Sequence, residues 1–126
     1  MPPPHLSKSL FLSALQCPRR VWLDVHDPDR GTPPGDAEQH IFRMGTEVGR
    51  RAHALFPGGV LVDVPASDHE TALIRTRDLM ADETVPAIFE AAFERDDVRI
   101  RVDVLERRAG GCWGLREVKS ASAVKR

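Results

Sequence analysis

Asp103, Glu117 and Lys119 are the residues whose types and spacing could do chemistry together. They lie in two stretches, 98–106 and 112–120, that alternate apolar and polar side chains and are joined by a glycine-containing turn over 107–111. That pattern predicts a β-hairpin. Val98, Ile100, Val102 and Val104 share one face of the first strand, and Arg99, Arg101, Asp103 and Leu105 share the other. Trp113, Leu115, Glu117 and Lys119 share a face of the second. A register that pairs Leu105 with Leu115 sets Asp103 opposite Glu117 and Arg101 opposite Lys119, with facing Cβ atoms about 4.5–5.5 Å apart. Two carboxylates at that range repel, and the pKa of one rises. A divalent cation such as Mg²⁺ or Mn²⁺ removes the conflict. Mg²⁺ prefers oxygen ligands, keeps several waters, and binds one or two carboxylates together with substrate phosphate. An adjacent lysine can orient or deprotonate a metal-bound water, or offset charge on a phosphate. This is the set of parts used in metal-assisted phosphodiester hydrolysis. The competing reading is a solvated hairpin face, and a slip of one residue would put the two carboxylates on opposite faces.

The elements that must hold this hairpin can be read from periodicity. Residues 6–25 read as a helical segment with Leu6, Leu10, Ala14 and Cys17 at helical spacing, Ser7 or Ser9 as cap, and a restart at Pro18. Residues 27–36 are a loop by composition. Residues 38–56 form the clearest helix, with Ile41, Met44, Val48, Ala52 and Leu55 along one face and Pro57-Gly58-Gly59 ending it. At about 100° per residue, His53 falls on the border of that face, with Gly49 one turn earlier. A short strand over 59–64, a helix over 69–82 and a strand over 86–94 precede the hairpin. The expected fold class is α/β, a small mixed β-sheet flanked by helices. The segment 1–36 leads into a single core over 37–126.

Composition sets outer limits. The hydrophobic fraction is 41% and the charged fraction 29%, which suits a globular chain. No apolar run approaches the roughly 20 residues of a membrane helix, and the start lacks the basic-then-apolar order of a signal peptide. The expectation is a cytoplasmic protein with no membrane partner. Cys17 and Cys112 make neither a disulfide framework nor a zinc motif. Charge is uneven: residues 63–97 carry three Lys/Arg against ten Asp/Glu, and residues 98–126 carry eight against three. A nucleic-acid partner would meet a local basic patch near the C-terminal end.

Asp103 followed after a turn by Glu117-Val118-Lys119 resembles the Asp…Glu-x-Lys signature of the PD-(D/E)XK nucleases. Gly49-Arg50-Arg51-Ala52-His53 resembles the Gly-x-x-x-His motif of their RecB-like branch, which includes CRISPR-associated exonucleases. Ser7-Lys8-Ser9 through Cys17-Pro18-Arg19-Arg20 resembles the opening of an uncharacterised bacterial family in that branch. The resemblance implies a restriction-endonuclease-like core. It makes His53, Asp103, Glu117 and the backbone carbonyl of Val118 ligands of Mg²⁺ or Mn²⁺, and Lys119 the catalytic lysine, with Glu90 a further acid near the site. It implies DNA as partner, single-stranded or nicked ends before intact duplex. Many relatives hold an iron–sulfur cluster through one N-terminal and three C-terminal cysteines. Cys17 matches the first of these positions and simple core packing competes for it. The branch continues past the lysine with a helix bearing a Gln and a Tyr, so the resemblance also implies a domain incomplete at its C-terminus. The alternative function is a non-catalytic nucleic-acid-binding or interaction module.

Overall fold

A computed structural model of the chain describes residues 5–120. The fold is α/β, as expected. Residues 121–126, the end of the expected 37–126 core, lie outside the described residues. Two compact units are formed, Met1–Pro34 with Phe93–Ile100, and Gly35–Ala92 with Arg101–Arg126. Among the described residues the mixed sheet has the order β1-β4-β3-β2, with β5 also pairing with β4.

In the first unit, β1 (Leu6–Ser7) pairs parallel with the start of β4, Leu6 opposite Val98 and Ser7 opposite Arg99. This pair was not legible, because two residues carry no periodicity and the partner lies far along the chain. Helix α1 (Lys8–Gln16) follows at once, its first turn capped by Ser7 Oγ, which accepts the Leu10 N–H at 3.2 Å. The chain breaks at Cys17 and restarts at Pro18 as α2 (Pro18–His26). Pro18 lacks the N–H that a continuing helix would need and suits the first turn of the new one. The hairpin tip between β3 (Ala87–Arg95) and β4 (Val98–Arg107) is Asp96-Asp97, with φ of 50° and 62°. Two successive left-handed residues match a two-residue type I′ turn.

The second unit holds the core. Helix α3 (Asp36–His53) begins where Glu38 accepts the Gly35 N–H at 3.1 Å. It buries no residue outright; Ile41 and Met44 on its apolar face are exposed, as is Leu55 just past its end. Strand β2 (Val60–Leu61) pairs parallel with β3, Val60 opposite Ile88 and Leu61 opposite Phe89. Helix α4 (His69–Ala81) is capped by Asp68, whose carboxylate accepts the Thr71 N–H at 3.2 Å. Its buried face is His69, Ala72, Thr76 and Leu79, the i, i+3, i+7, i+10 spacing of one helical stripe. From this stripe Thr76 Oγ1 accepts the Ala92 N–H at 2.8 Å in the interior. Val62, Ile88 and Val104 are the largest fully buried apolar side chains.

Strand β5 (Trp113–Arg116) pairs antiparallel with β4 through Val104–Arg116, Leu105–Leu115, Glu106–Gly114 and Arg107–Trp113. The expected register is therefore present, but the strand stops at Arg116 and does not run to residue 120. Arg107 closes this end. Its guanidinium donates to the carbonyls of Val85 (2.8 Å), Met80 (3.1 Å) and Asp82 (2.8 Å) and lies 4.2 Å from the centre of the Trp113 ring.

Candidate functional site

A cleft of about 500 Å³ in the second unit gathers His53, Glu90, Asp103 and Val118, with Gly49 and Arg50 along its helical side. Each of the four reaches it for a different local reason.

His53 is the last residue of α3. Its ring stacks on Phe89, with centroids 4.0 Å apart and planes 10° from parallel. Phe89 is 4% exposed and in turn meets Phe56 edge-on. The imidazole plane is thus fixed by packing, while its nitrogens make no hydrogen bond among the described residues.

Asp103 sits where the β4–β5 ladder gives out. The Arg108 N–H donates to the Cys112 carbonyl at 2.9 Å. Hydrogen-bonded pairs alternate along an antiparallel ladder, so the continued pattern would send the Val118 N–H to Val102. Instead it donates to Asp103 Oδ2 at 2.7 Å. A carboxylate has replaced a carbonyl as the acceptor, and the chain leaves the sheet at that point.

Glu90 is the residue that sequence reasoning undervalued. It stands inside β3 with φ of 58°, a left-handed conformation that costs a non-glycine residue about 1–2 kcal/mol. Its neighbours Phe89, Ala91 and Ala92 are buried on both sides. A single acid inside the apolar run Ala87-Ile88-Phe89-Glu90-Ala91-Ala92-Phe93 was the available signal. Burial first, and the Asp103 charge second, push the Glu90 carboxyl above the ordinary carboxylate range, with Arg101 and His53 pulling the other way. A carboxyl with a raised pKa in the folded chain carries its penalty in full only above the shifted pKa. The penalty fades as pH falls through the shifted pKa and is gone below the ordinary value. Glu90→Gln is therefore expected to raise Tm at neutral pH, with the gain shrinking to nothing in acid. Melts of the two proteins across that range check it; a constant offset at every pH would show that charge is not the cause.

Glu117 and Lys119 are not in this lining. Lys119 Nζ lies 2.8 Å from Glu117 Oε1, and both side chains are more than half exposed. Glu117 borders a neighbouring groove with Val104 and Leu55, and Val118 faces both hollows. Among the described residues no three His, Cys, Asp or Glu side chains are spaced to share one metal ion. The structure thus brings His53, Asp103 and Val118 to one place, adds Glu90, and leaves Glu117 and Lys119 beside it as an ion pair. Cys17 is exposed rather than packed in a core and lines a separate hollow in the first unit beside Arg19, Arg20 and Arg30. Cys112 is likewise exposed and free.

The chain matches no family model, no curated protein and no solved structure. No helix among the described residues is long and apolar enough to cross a membrane.

Proposed function

We propose that this chain is a metal-dependent nuclease of the PD-(D/E)XK type, RecB-like, acting on phosphodiester bonds of single-stranded or nicked DNA. The observation that carries the reading is the meeting of His53, Asp103 and Val118 in one cleft, from a helix end, a mid-strand position and the segment after a strand. The donor set is one imidazole, carboxylate oxygens and a backbone carbonyl; the oxygens suit Mg²⁺ or Mn²⁺, and the imidazole nitrogen favours the softer Mn²⁺ of the two. Asp103 has one oxygen beyond the bond to Val118, and the repulsion felt by Glu90 is of the kind a cation relieves. The donors fit in kind and line one cleft, and Glu117 would have to leave Lys119 to join them.

A bound cation would supply Lewis acidity toward a phosphoryl oxygen and a more acidic water. His53, Asp103, Glu117 and the Val118 carbonyl would hold it. Lys119, released from Glu117, would place its ammonium against the phosphate or move a proton at its Nζ. The second reading, a non-catalytic nucleic-acid-binding module, draws on the Lys119–Glu117 pairing and on the spacing of the His and acid side chains among the described residues, where no three are placed to share one ion. An iron–sulfur cluster at Cys17 gains no support from the side chains around it.

The test is cation binding followed by cleavage. Mn²⁺ at one hundred times its Kd is expected to stabilise the fold by about 2.7 kcal/mol. The loaded protein is expected to cut single-stranded DNA, and Lys119→Ala to remove cleavage while keeping Mn²⁺ binding. Cation binding and DNA binding without cleavage would select the non-catalytic module. A melt unmoved by millimolar Mn²⁺ would remove the metal site altogether.

A further inference from the structure

All three guanidinium nitrogens of Arg101 donate to main-chain oxygens. Nε donates to the Glu90 carbonyl at 2.7 Å, Nη2 to the Val62 carbonyl at 3.0 Å and Nη1 to the Val64 carbonyl at 3.3 Å. It makes no ion pair among the described residues. Three acceptors from two separate segments therefore converge on one planar group. Only a guanidinium has donors fixed in a fork that can meet them together; a lysine brings one ammonium on a flexible stem.

The first of those acceptors belongs to the strained residue. A left-handed glutamate within a strand persists only where its surroundings over-determine it. The Glu90 peptide is held from one side by this bond, while Leu61 pairs opposite Phe89 and the Val62 N–H donates to the Phe89 carbonyl at 2.9 Å. The Val62 peptide thus gives its N–H to β3 and its carbonyl to Arg101.

We infer that Arg101 is a positioning residue: its guanidinium locks the left-handed Glu90 peptide to the backbone at Val62 and Val64, and so presents the Glu90 side chain to the cleft it shares with His53 and Asp103. The part of this inference that concerns what the cleft binds rests on the nuclease reading; the conformational part does not. The attraction between Arg101 and the Glu90 carboxylate acts in the same direction, holding the side chain near the bond that orients its backbone.

The experiment uses the full chain and the variants Arg101→Lys, Arg101→Met, Glu90→Gln and Asp103→Asn. Two quantities are measured. The three-bond HN–Hα coupling of Glu90 reads its φ directly, with or without metal. Calorimetric titration with Mn²⁺ reads the cleft. With Arg101→Lys or Arg101→Met the coupling is expected to move to the extended-strand value, and Mn²⁺ affinity to fall about 10–100-fold, the usual range for losing a group that supports a metal site from outside its ligand set. Glu90→Gln should weaken Mn²⁺ as much, and the double variant Arg101→Lys/Glu90→Gln no more than either alone, since both remove one device. An unchanged Glu90 coupling in both Arg101 variants overturns the inference. So does Mn²⁺ affinity kept within about twofold in the Arg101 variants while Asp103→Asn abolishes it; the metal reading then stands and Arg101 is only a brace. If the parent chain binds no Mn²⁺, the nuclease reading falls and the coupling alone decides. Should Arg101→Lys fail to fold, Arg101→Lys/Glu90→Gly decides, because glycine takes the left-handed conformation without a brace. Recovery of a cooperative melt supports the inference, and failure of this variant too assigns Arg101 to Val62 and Val64 alone and overturns it.

Discussion

Asp103→Asn is expected to abolish cation binding at the cleft and to cut DNA cleavage by about 100–1,000-fold, the loss typical of removing one electrostatic stabiliser of a reacting centre. The same change should leave the fold close to its original stability. The amide keeps an oxygen for the Val118 N–H, which the Asp103 carboxylate accepts at 2.7 Å. It also removes the like charge that raises the pKa of Glu90. Asp103→Ala separates the two roles. It deletes the acceptor as well as the charge, and a hydrogen bond to a charged group contributes about 1.5–3 kcal/mol. The alanine variant should therefore melt lower than the asparagine variant, while both fail to bind Mn²⁺. Thermal melts and Mn²⁺ titrations of the pair, with a DNA cleavage assay, provide the check. Undiminished Mn²⁺ affinity in Asp103→Asn would sink the assignment of this carboxylate, and with it the nuclease reading.

The second large effect lies outside the cleft. A Cβ added at Gly59 would come within 2.6 Å of Phe89 Cε2 and 3.0 Å of the Phe56 carbonyl oxygen. Real Cβ atoms do not tolerate the first of these, and the ring has little room to retreat. Phe89 is 4% exposed, with His53 stacked on it at 4.0 Å and Phe56 against it. Overpacking of a fixed core costs about 1–3 kcal/mol, sometimes more, so Gly59→Ala should lower Tm by several degrees, on the order of 4–8 °C per kcal/mol for a small domain. The only ring that can yield is the one that sets the plane of His53. Mn²⁺ affinity should fall with Tm, although Gly59 touches no ligand. Phe89→Leu in the Gly59→Ala background should recover part of the stability and none of the affinity, because it clears the clash by removing the stacking platform. A Gly59→Ala protein with unchanged Tm would show that this strand edge is looser than the geometry requires.

Much of this frame was legible in the residues. The helix expected over 38–56 is α3, Asp36–His53, because its periodicity spans five turns and a Pro-Gly-Gly stop follows it. The pairing of Leu105 with Leu115 followed from strict alternation on both sides of a short turn, where one register alone keeps apolar partners facing. The end of β5 at Arg116 was not legible, since alternation continues through Lys119 while the Val118 N–H turns to the Asp103 carboxylate. The left-handed Glu90 was hidden for a similar reason. What sustains it is a guanidinium that also reaches Val62 and Val64, a convergence of distant segments that local pattern does not encode. Glu117 stands beyond the last ladder pair, Val104 with Arg116, where the backbone has already left the sheet, and its side chain meets Lys119 at 2.8 Å.

The bond between Asp103 and the Val118 amide makes that single proton an informant on the cleft. Protected amides exchange with solvent only when their bond opens. Anything that draws the Asp103 oxygens elsewhere must compete with the amide for them. Deuterium uptake at Val118 would thus track occupancy of the carboxylate, rising as a competing cation takes Oδ2 and staying low if the cation uses Oδ1 alone. The readout needs no substrate and no turnover. It distinguishes a ligand that shares the carboxylate from one that unzips the segment after β5.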